Sequence, residues 1–364
     1  MRVVIACGGT GGHIYPALAV AEALREQEPA VQILFVGGSR LETQLVPQAG
    51  WALRAVAARP IPRTVTPGVL TALGALVVGT VQSARILRDF RAQVVLATGG
   101  YVSAPVGVAA AMLRVPVVLQ EQNLVPGLTT RMLARLAARV SIPHETVWAR
   151  LPAGVVTGVP IRRGATGGDR ARGVARFGLE AGRFTVLVLG GSQGARSLNE
   201  AMLEAARALR APDAVQVLHQ AGKGQAEWVA RRAAQIRTPR YVAVGYIEDV
   251  ADAYACADLV VCRAGAGTLA EVTANGLPAV VVPYPHAAEG HQDANARLME
   301  RAGAAVVIAD RDLTGARLAE VIDALREDAP RARAMAEASR RLGRPGAAAA
   351  VAALVRDAAH KERA

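Results

Sequence analysis

The sequence predicts an α/β protein of two Rossmann-like, doubly wound domains. Three observations predict it. The chain has 364 residues, and domains usually run to roughly 100–200 residues, so two are expected. Short apolar runs alternate with helix-length stretches, the order that builds parallel sheets with helices on both faces. Both halves open alike, with a buried-strand run, a glycine loop and a helix.

Taken in order, the first half offers strands over residues 2–6, 31–36, 94–97, 115–119 and 139–142, with a helix over 16–28. The second half restarts with a strand over 184–189, the loop Gly190-Gly191-Ser192-Gln193-Gly194-Ala195 and a helix over 196–209. Further strands are expected over 215–219, 240–244, 259–262, 279–282 and 305–308. Pro160 and the glycine-rich stretch through Gly168 interrupt any regular element, which sets domains of 1–161 and 162–343. The break Gly343-Arg344-Pro345-Gly346 precedes a last helix, and segment 344–364 is expected to pack back on the first domain. Two such domains facing a central cleft would bind a ligand at the carboxyl ends of both sheets.

Composition narrows the class. With 52% hydrophobic and 20% charged residues, a largely disordered chain is excluded. Three cysteines without a metal-ligand spacing (Cys7, Cys256, Cys262) argue against a disulfide framework and a zinc site, and for a reducing compartment. The net charge of +12 suggests an acidic partner: nucleic acid, an anionic membrane surface or a phosphorylated substrate. Nearly all of that charge is arginine, since Lys223 and Lys361 are the only lysines, and such usage also reflects coding bias. With 4% aromatics and no RNA-binding or helix-turn-helix signature, no nucleic-acid partner is expected. The N-terminus reads as a first strand rather than a signal peptide, and no run is expected to reach the ~18–20 apolar residues of a membrane span.

The loops carry the chemistry. Gly8-Gly9-Thr10-Gly11-Gly12-His13 lies between a strand and a helix, where glycines let backbone amides approach an anion and the helix N-terminus favours phosphate. Four glycines and a histidine exceed what a tight turn needs. A dinucleotide fingerprint fails because Ile14 stands where its third glycine belongs, and the second strand ends at Gly37-Gly38 rather than at an acid. Gly190-Gly191-Ser192-Gln193-Gly194 matches the nucleophile elbow of a serine hydrolase, with Asp258 and His286 or His291 following in chain order. The first domain's matching loop has no nucleophile, so Ser192 reads better as a phosphate-contacting hydroxyl. Glu271, expected in about the first turn after Arg263-Ala264-Gly265-Ala266-Gly267-Thr268-Leu269-Ala270, suits either a ribose diol or a plain helix N-terminus. The polar stretches Thr98–Tyr101, Gln120–Asn123 and Pro283–His286, with His291, Gln292 and Asn295, fall after strands, on the crevice side. Asp310-Arg311-Asp312 has the form of a metal-binding D-x-D, but a helix N-cap is the expected role, and no metal or cofactor is expected.

Together these motifs resemble the MurG family of N-acetylglucosaminyltransferases. The matching segments are residues 8–17, 98–105, 121–123, 190–195, 263–271 and 291–296, in family order along nearly the whole chain. The resemblance implies a GT-B fold and metal-independent, inverting transfer of GlcNAc from UDP-GlcNAc to lipid I, undecaprenyl-diphosphate-MurNAc-pentapeptide. It also implies peripheral attachment at the cytoplasmic face of the membrane. By position, Asn123 and Gln292 would hold the GlcNAc hydroxyls, Arg162 and Ser192 would face the diphosphate, and Glu271 the ribose. Ile247 would line the uracil pocket, with Ala266, Gly267, Thr268, Leu269, Ala270 and Glu271 wrapping the nucleotide. Thr10, Gly11 and Gly12 would lie at the sugar–acceptor junction, with His13, Tyr101 and Glu121 on the acceptor side. Two departures stand out: Gln120 replaces a histidine found in many members, and Gly267 a bulkier residue. Another GT-B enzyme, such as a glycolipid transferase or a UDP-GlcNAc 2-epimerase, is the nearest alternative.

An inverting transfer needs a base for the acceptor hydroxyl, and His13 is the candidate, the alternative being a histidine that only orients the acceptor phosphate. Residues 69–78 are apolar on nearly every side and flanked by Arg59, Arg63, Arg85, Arg88 and Arg91. That pattern suits an anionic bilayer surface, or else a buried helix.

Overall fold

The computed structural model describes residues 1–60, 67–151, 153–191 and 193–361. They form two compact units, Met1–Arg162 joined by the chain from Gly346 onward, and Arg163–Pro345.

The first unit holds seven strands: β1 (Arg2–Ala6), β2 (Gln32–Gly37), β3 (Leu53–Ala55), β4 (Val94–Ala97), β5 (Val117–Gln120), β6 (Arg139–Ile142) and β7 (Gly154–Val156). They lie in the order β3-β2-β1-β4-β5-β6-β7, and all pairs are parallel. Val3, Val4, Ile5 and Ala6 are all fully buried, as a strand covered on both faces requires. One layer is the helix Gly11–Gln27 with the C-terminal helix Ala347–Lys361, whose Ala347, Val351, Ala352, Val355, Ala358 and Ala359 form a buried stripe at helical spacing. The other layer is the helices Pro67–Phe90, Ser103–Met112 and Leu128–Leu133.

The first helix begins at Gly11, five residues before the expected start, and Pro16 lies inside it. Proline has no N–H, so the Gly12 carbonyl lacks its backbone donor four residues on. The expectation that no segment is long and apolar enough for a membrane span is corrected by Gly68–Phe90, which meets both criteria by length and composition. The helix is not a buried one: Leu70 is 74% and Val77 65% exposed, with Leu73, Val78 and Val81 also exposed. Its opposite face is held by the domain. Ala72, Ser83 and Leu87 are buried, Gly79 lies against the Ala57 carbonyl and Pro105, and Gln82 accepts a 2.7 Å bond from the Ala57 amide.

The second unit holds β8 (Phe184–Leu189), β9 (Val215–Gln220), β10 (Arg240–Val244), β11 (Leu259–Arg263), β12 (Ala279–Val282) and β13 (Ala305–Val307). Their order is β10-β9-β8-β11-β12-β13, again all parallel. Asp252 joins the entry segment to this body. Its buried carboxylate accepts from the Asp169 amide at 2.9 Å and from Arg172 Nε and Nη2 at 2.7 and 2.6 Å. The Arg172 bonds, then the Asp169 amide, hold the carboxyl below its ordinary value of 3.8. A depressed acid stabilises the fold above its unfolded pKa and loses that contribution as pH falls through the folded value. Asp252→Asn is therefore expected to lower the urea midpoint at pH 7, with the gap to wild type closing below about pH 4. A gap that stays constant from pH 7 to 3 would contradict this assignment.

Candidate functional site

In each sheet the chain reverses its direction of winding at one point, between β1 and β4 in the first unit and between β8 and β11 in the second. Loops at the carboxyl ends of strands beside such a point diverge and leave a crevice. The glycine loops follow β1 and β8, and the polar turns follow β4, β5 and β11.

In the first unit the β1 loop is fixed by a residue the sequence reading missed. Glu42 is fully buried, and its oxygens accept from the amides of Gly9 (3.0 Å), Gly38 (2.8 Å) and Arg40 (3.2 Å). Glycine is required around it. A Cβ on Gly37 would lie 2.7 Å from Glu42 Cγ, and Gly9 has a φ of +93°. The Gly9 amide is thus committed to a carboxylate, and the amides that remain for a ligand are those of the helix N-terminus. There the amides of Gly11 and Gly12 have no intrahelical acceptor, and Thr10 is exposed with no capping bond of its own.

His13 is half-buried between the β1 and β4 loops. Its Nδ1 lies 2.9 Å from the Thr98 carbonyl, and Thr98 Oγ1 donates back to the His13 carbonyl at 2.9 Å. A carbonyl only accepts, so Nδ1 carries the proton and Nε2 the lone pair. The Gln122 amide also abuts Nδ1. Its Oε1 is the chemically matched partner there, and that orientation employs a buried oxygen otherwise without one. Gly99 and Gly100, with φ of +89° and +75°, wrap the ring: a Cβ on Gly99 would sit 3.0 Å from His13 Nδ1.

Tyr101 stands over Gly9, with the Arg40 guanidinium 5.7 Å from its ring. Burial, then the Glu42 charge, pushes its phenol up, against a smaller opposing pull from Arg40. Glu121 is buried and turned into its own loop, accepting from the amides of Gln122 (3.0 Å), Asn123 (2.9 Å) and Gly127 (3.1 Å). It shapes the turn that carries Gln122 and Asn123. Arg162, where the chain first leaves this unit, lies 5.4 Å over the Tyr15 ring. Gln122 thus links His13 to the Glu121–Asn123 turn, and Gly9 lies between Tyr101 and Glu42.

In the second unit, Ser192 lies outside the described residues. The loop around it is closed by two facing glycines. Gly194 (φ +75°) could not carry a Cβ, which would be 2.2 Å from the Ala221 carbonyl, and a Cβ on Gly222 would be 2.3 Å from the Gly194 nitrogen. After β11, Gly265 is the N-cap of the helix Ala266–Ala274, so Ala266, Gly267, Thr268 and Leu269 form its first turn. Nothing lies within 4 Å of a Cβ on Gly267. Glu271 is the sixth helical residue, which corrects the expected first-turn placement. It is largely buried and accepts from Tyr254 OH at 2.9 Å. Asn295 ties the helix His291–Arg301 to this loop by a 3.1 Å bond to the Ala264 carbonyl, and Gln292 in that helix's first turn accepts from the Tyr284 amide at 2.9 Å. Ile247 is buried, and its amide donates to Gln220 Oε1 at 3.0 Å.

Two expectations are corrected. Thr314, not Asp310 or Asp312, caps the following helix, accepting from the Arg317 amide at 3.1 Å. Asp310 instead accepts from Arg263 Nη1 at 2.6 Å and Ser197 Oγ at 2.8 Å, tying the turn after β13 to the end of β11 and to the helix after β8. The hydrolase alternative fails on position: Asp258 precedes β11, at the amino edge of the sheet, where it binds the Thr185 amide (2.8 Å) and Arg170 (3.0 Å). The Ser192 loop leaves the opposite edge.

Comparison with known proteins agrees with this geometry. Residues 3–142 match the glycosyltransferase family 28 N-terminal domain, and residues 185–351 its C-terminal domain. A protein of Moorella thermoacetica, named UDP-N-acetylglucosamine–N-acetylmuramyl-(pentapeptide) pyrophosphoryl-undecaprenol N-acetylglucosamine transferase, is 43% identical over 96% of this chain and 97% of its own. A protein of the same name from Desulforudis audaxviator is 41% identical over 95% of each chain. The crystal structure of Acinetobacter baumannii MurG superposes with a TM-score of 0.79 at 29% identity, over 98% of this chain and 99% of that one. The chain belongs to the MurG family of glycosyltransferase family 28.

Proposed function

We propose that this protein transfers GlcNAc from UDP-GlcNAc to the C4 hydroxyl of MurNAc in lipid I, with inversion, forming lipid II for peptidoglycan synthesis. The observation that carries the reading is the identity of 41–43% with transferases of that name along nearly the whole chain. The second unit takes the donor. Ala266–Glu271 wraps the nucleotide with Glu271 toward the ribose, Ile247 faces the uracil, and Gln292 holds a GlcNAc hydroxyl. Ser192 and Arg162 face the diphosphate, and Asn123 a second sugar hydroxyl. Charge on the departing UDP falls to helix N-terminal amides and arginine, with no metal in the step. The first unit takes the acceptor, with His13 Nε2 as base for the C4 hydroxyl and Tyr101 beside it, while Thr10, Gly11 and Gly12 meet the donor sugar at the junction. Incubating labelled UDP-GlcNAc with a lipid I analogue tests this directly. The expected product is a β-1,4-linked disaccharide-pentapeptide on the lipid carrier, and recovery of only free GlcNAc would refute the reading.

The acceptor is lipid-linked, and the helix Pro67–Phe90 supplies a means of reaching it. Exposed Leu70, Leu73, Val77, Val78 and Val81 lie along one stripe, continued by Arg85 and Arg88. An apolar stripe followed by cations suits a helix lying in the interface of an anionic bilayer, and its other face stays on the domain. This surface supports the reading of a peripheral protein at the cytoplasmic face of the membrane. Leu70→Asp/Val77→Asp is expected to weaken binding to anionic vesicles by about tenfold or more, while turnover of a soluble acceptor analogue is kept. Unchanged sedimentation with vesicles would count against this surface.

A further inference from the structure

The end of β9 carries two adjacent residues, His219 and Gln220, that the reaction does not call on directly. Successive strand residues point to opposite faces, and here the two side chains bind two different parts of the donor half-site. Gln220 is nearly buried. Its Oε1 accepts from the Ile247 amide at 3.0 Å, and its Nε2 reaches the Gly191 carbonyl at 3.5 Å. One amide thus couples the glycine loop after β8 to the segment after β10. On the other face, His219 is fully buried between Tyr241 OH (2.6 Å from Nδ1) and Asn199 Oδ1 (2.9 Å from Nε2). Asn199 donates to the Ala221 carbonyl at 3.0 Å and to Gln225 Oε1 at 3.1 Å, and Gln225 donates on to the Gln193 carbonyl at 3.4 Å.

The chain of bonds has one consistent proton order. The Asn199 oxygen accepts, since its nitrogen is occupied as a donor, so His219 Nε2 carries the hydrogen and Nδ1 accepts from Tyr241. Burial lowers the imidazole to about 3, so it is neutral and the order does not change across physiological pH. Both branches end on backbone carbonyls of the same loop, at Gly191 and Gln193, on either side of Ser192. Gly194 and Gly222, which admit no Cβ, let that loop sit directly on the chain after β9.

We infer that His219 and Gln220 are positioning residues for the donor: they hold the diphosphate loop and the uracil-facing segment in one fixed relation before UDP-GlcNAc arrives. The inference rests on the donor reading above. It assigns the pair no contact with substrate. Preorganisation of this kind lowers the cost of ordering on binding, so its loss appears in affinity for nucleotide rather than in the chemical step.

The test is titration of UDP, with ADP as control, into wild type, Gln220→Met and Gln225→Met, together with steady-state kinetics for donor and acceptor. Gln220→Met keeps the side-chain length and leaves the Ile247 amide without its acceptor. Gln225→Met cuts the His219 branch at its half-buried end, where little of the core is disturbed. Each is expected to weaken UDP binding and raise the donor KM by about tenfold, with acceptor KM and kcat at saturating donor within about threefold of wild type. Wild type that binds UDP no better than ADP would overturn the donor reading itself. Wild type that binds UDP selectively, with both variants binding as well, would overturn the positioning role alone. A fall in kcat at unchanged donor KM would also overturn it.

Discussion

His13→Gln is expected to lower kcat by about 10²–10⁴-fold, the usual contribution of a positioned general base. Glutamine still offers an N–H to the Thr98 carbonyl, so the loop contact made by Nδ1 is retained. What is lost is the lone pair at Nε2, the only part of the side chain suited to taking the acceptor proton. UDP affinity should not change, because His13 is assigned to the acceptor and not to the nucleotide. Single-turnover kinetics at saturating substrates, with UDP titration alongside, separates the two roles. Near-normal turnover would mean that His13 only orients the acceptor.

Glu42→Ala is expected to abolish most activity and to lower stability by about 3 kcal/mol, because it removes one acceptor from three loop amides at once. Each buried amide left without a partner costs about 1–3 kcal/mol, and the glycines packed on the carboxylate leave a void when it is cut back. Glu42→Gln fills the same space but turns its amide nitrogen toward loop N–H groups. It should lie between wild type and Glu42→Ala in urea midpoint while still impairing turnover. Equal stability of all three proteins would show that the loop is held by other contacts.

What could be read from the sequence follows a physical division. The central strands were legible because burial on both faces writes a continuous apolar run, as in Val3–Ala6 or Val186–Leu189. The three-residue edge strands Leu53–Ala55 and Gly154–Val156 carry no such run and were missed. The first helix was started too late, because a glycine pair reads as loop and Pro16 as a first-turn residue. Among the candidate site residues, Tyr101 and Asn123 stand out in the sequence as polar residues a few positions after buried strands. Glu42 and His219 did not, since their meaning lies in partners 20 to 33 residues away: Gly9 for one, Asn199 and Tyr241 for the other. The signal for Glu42 was the glycine pair at 37 and 38, to which the sequence reading assigns no role. Glu271 was placed a turn too early because a helix N-cap at Gly265 has no side chain to mark it.

The central claim is acceptor-dependent transfer from one sugar nucleotide. Its most direct test is UDP release from UDP-GlcNAc with and without a lipid I analogue, with UDP-GalNAc and UDP-glucose as donor controls. The account predicts rapid release only when UDP-GlcNAc and the acceptor are both present, matched one for one by lipid II. Equal release without acceptor, or no preference for UDP-GlcNAc over the other two donors, would contradict it.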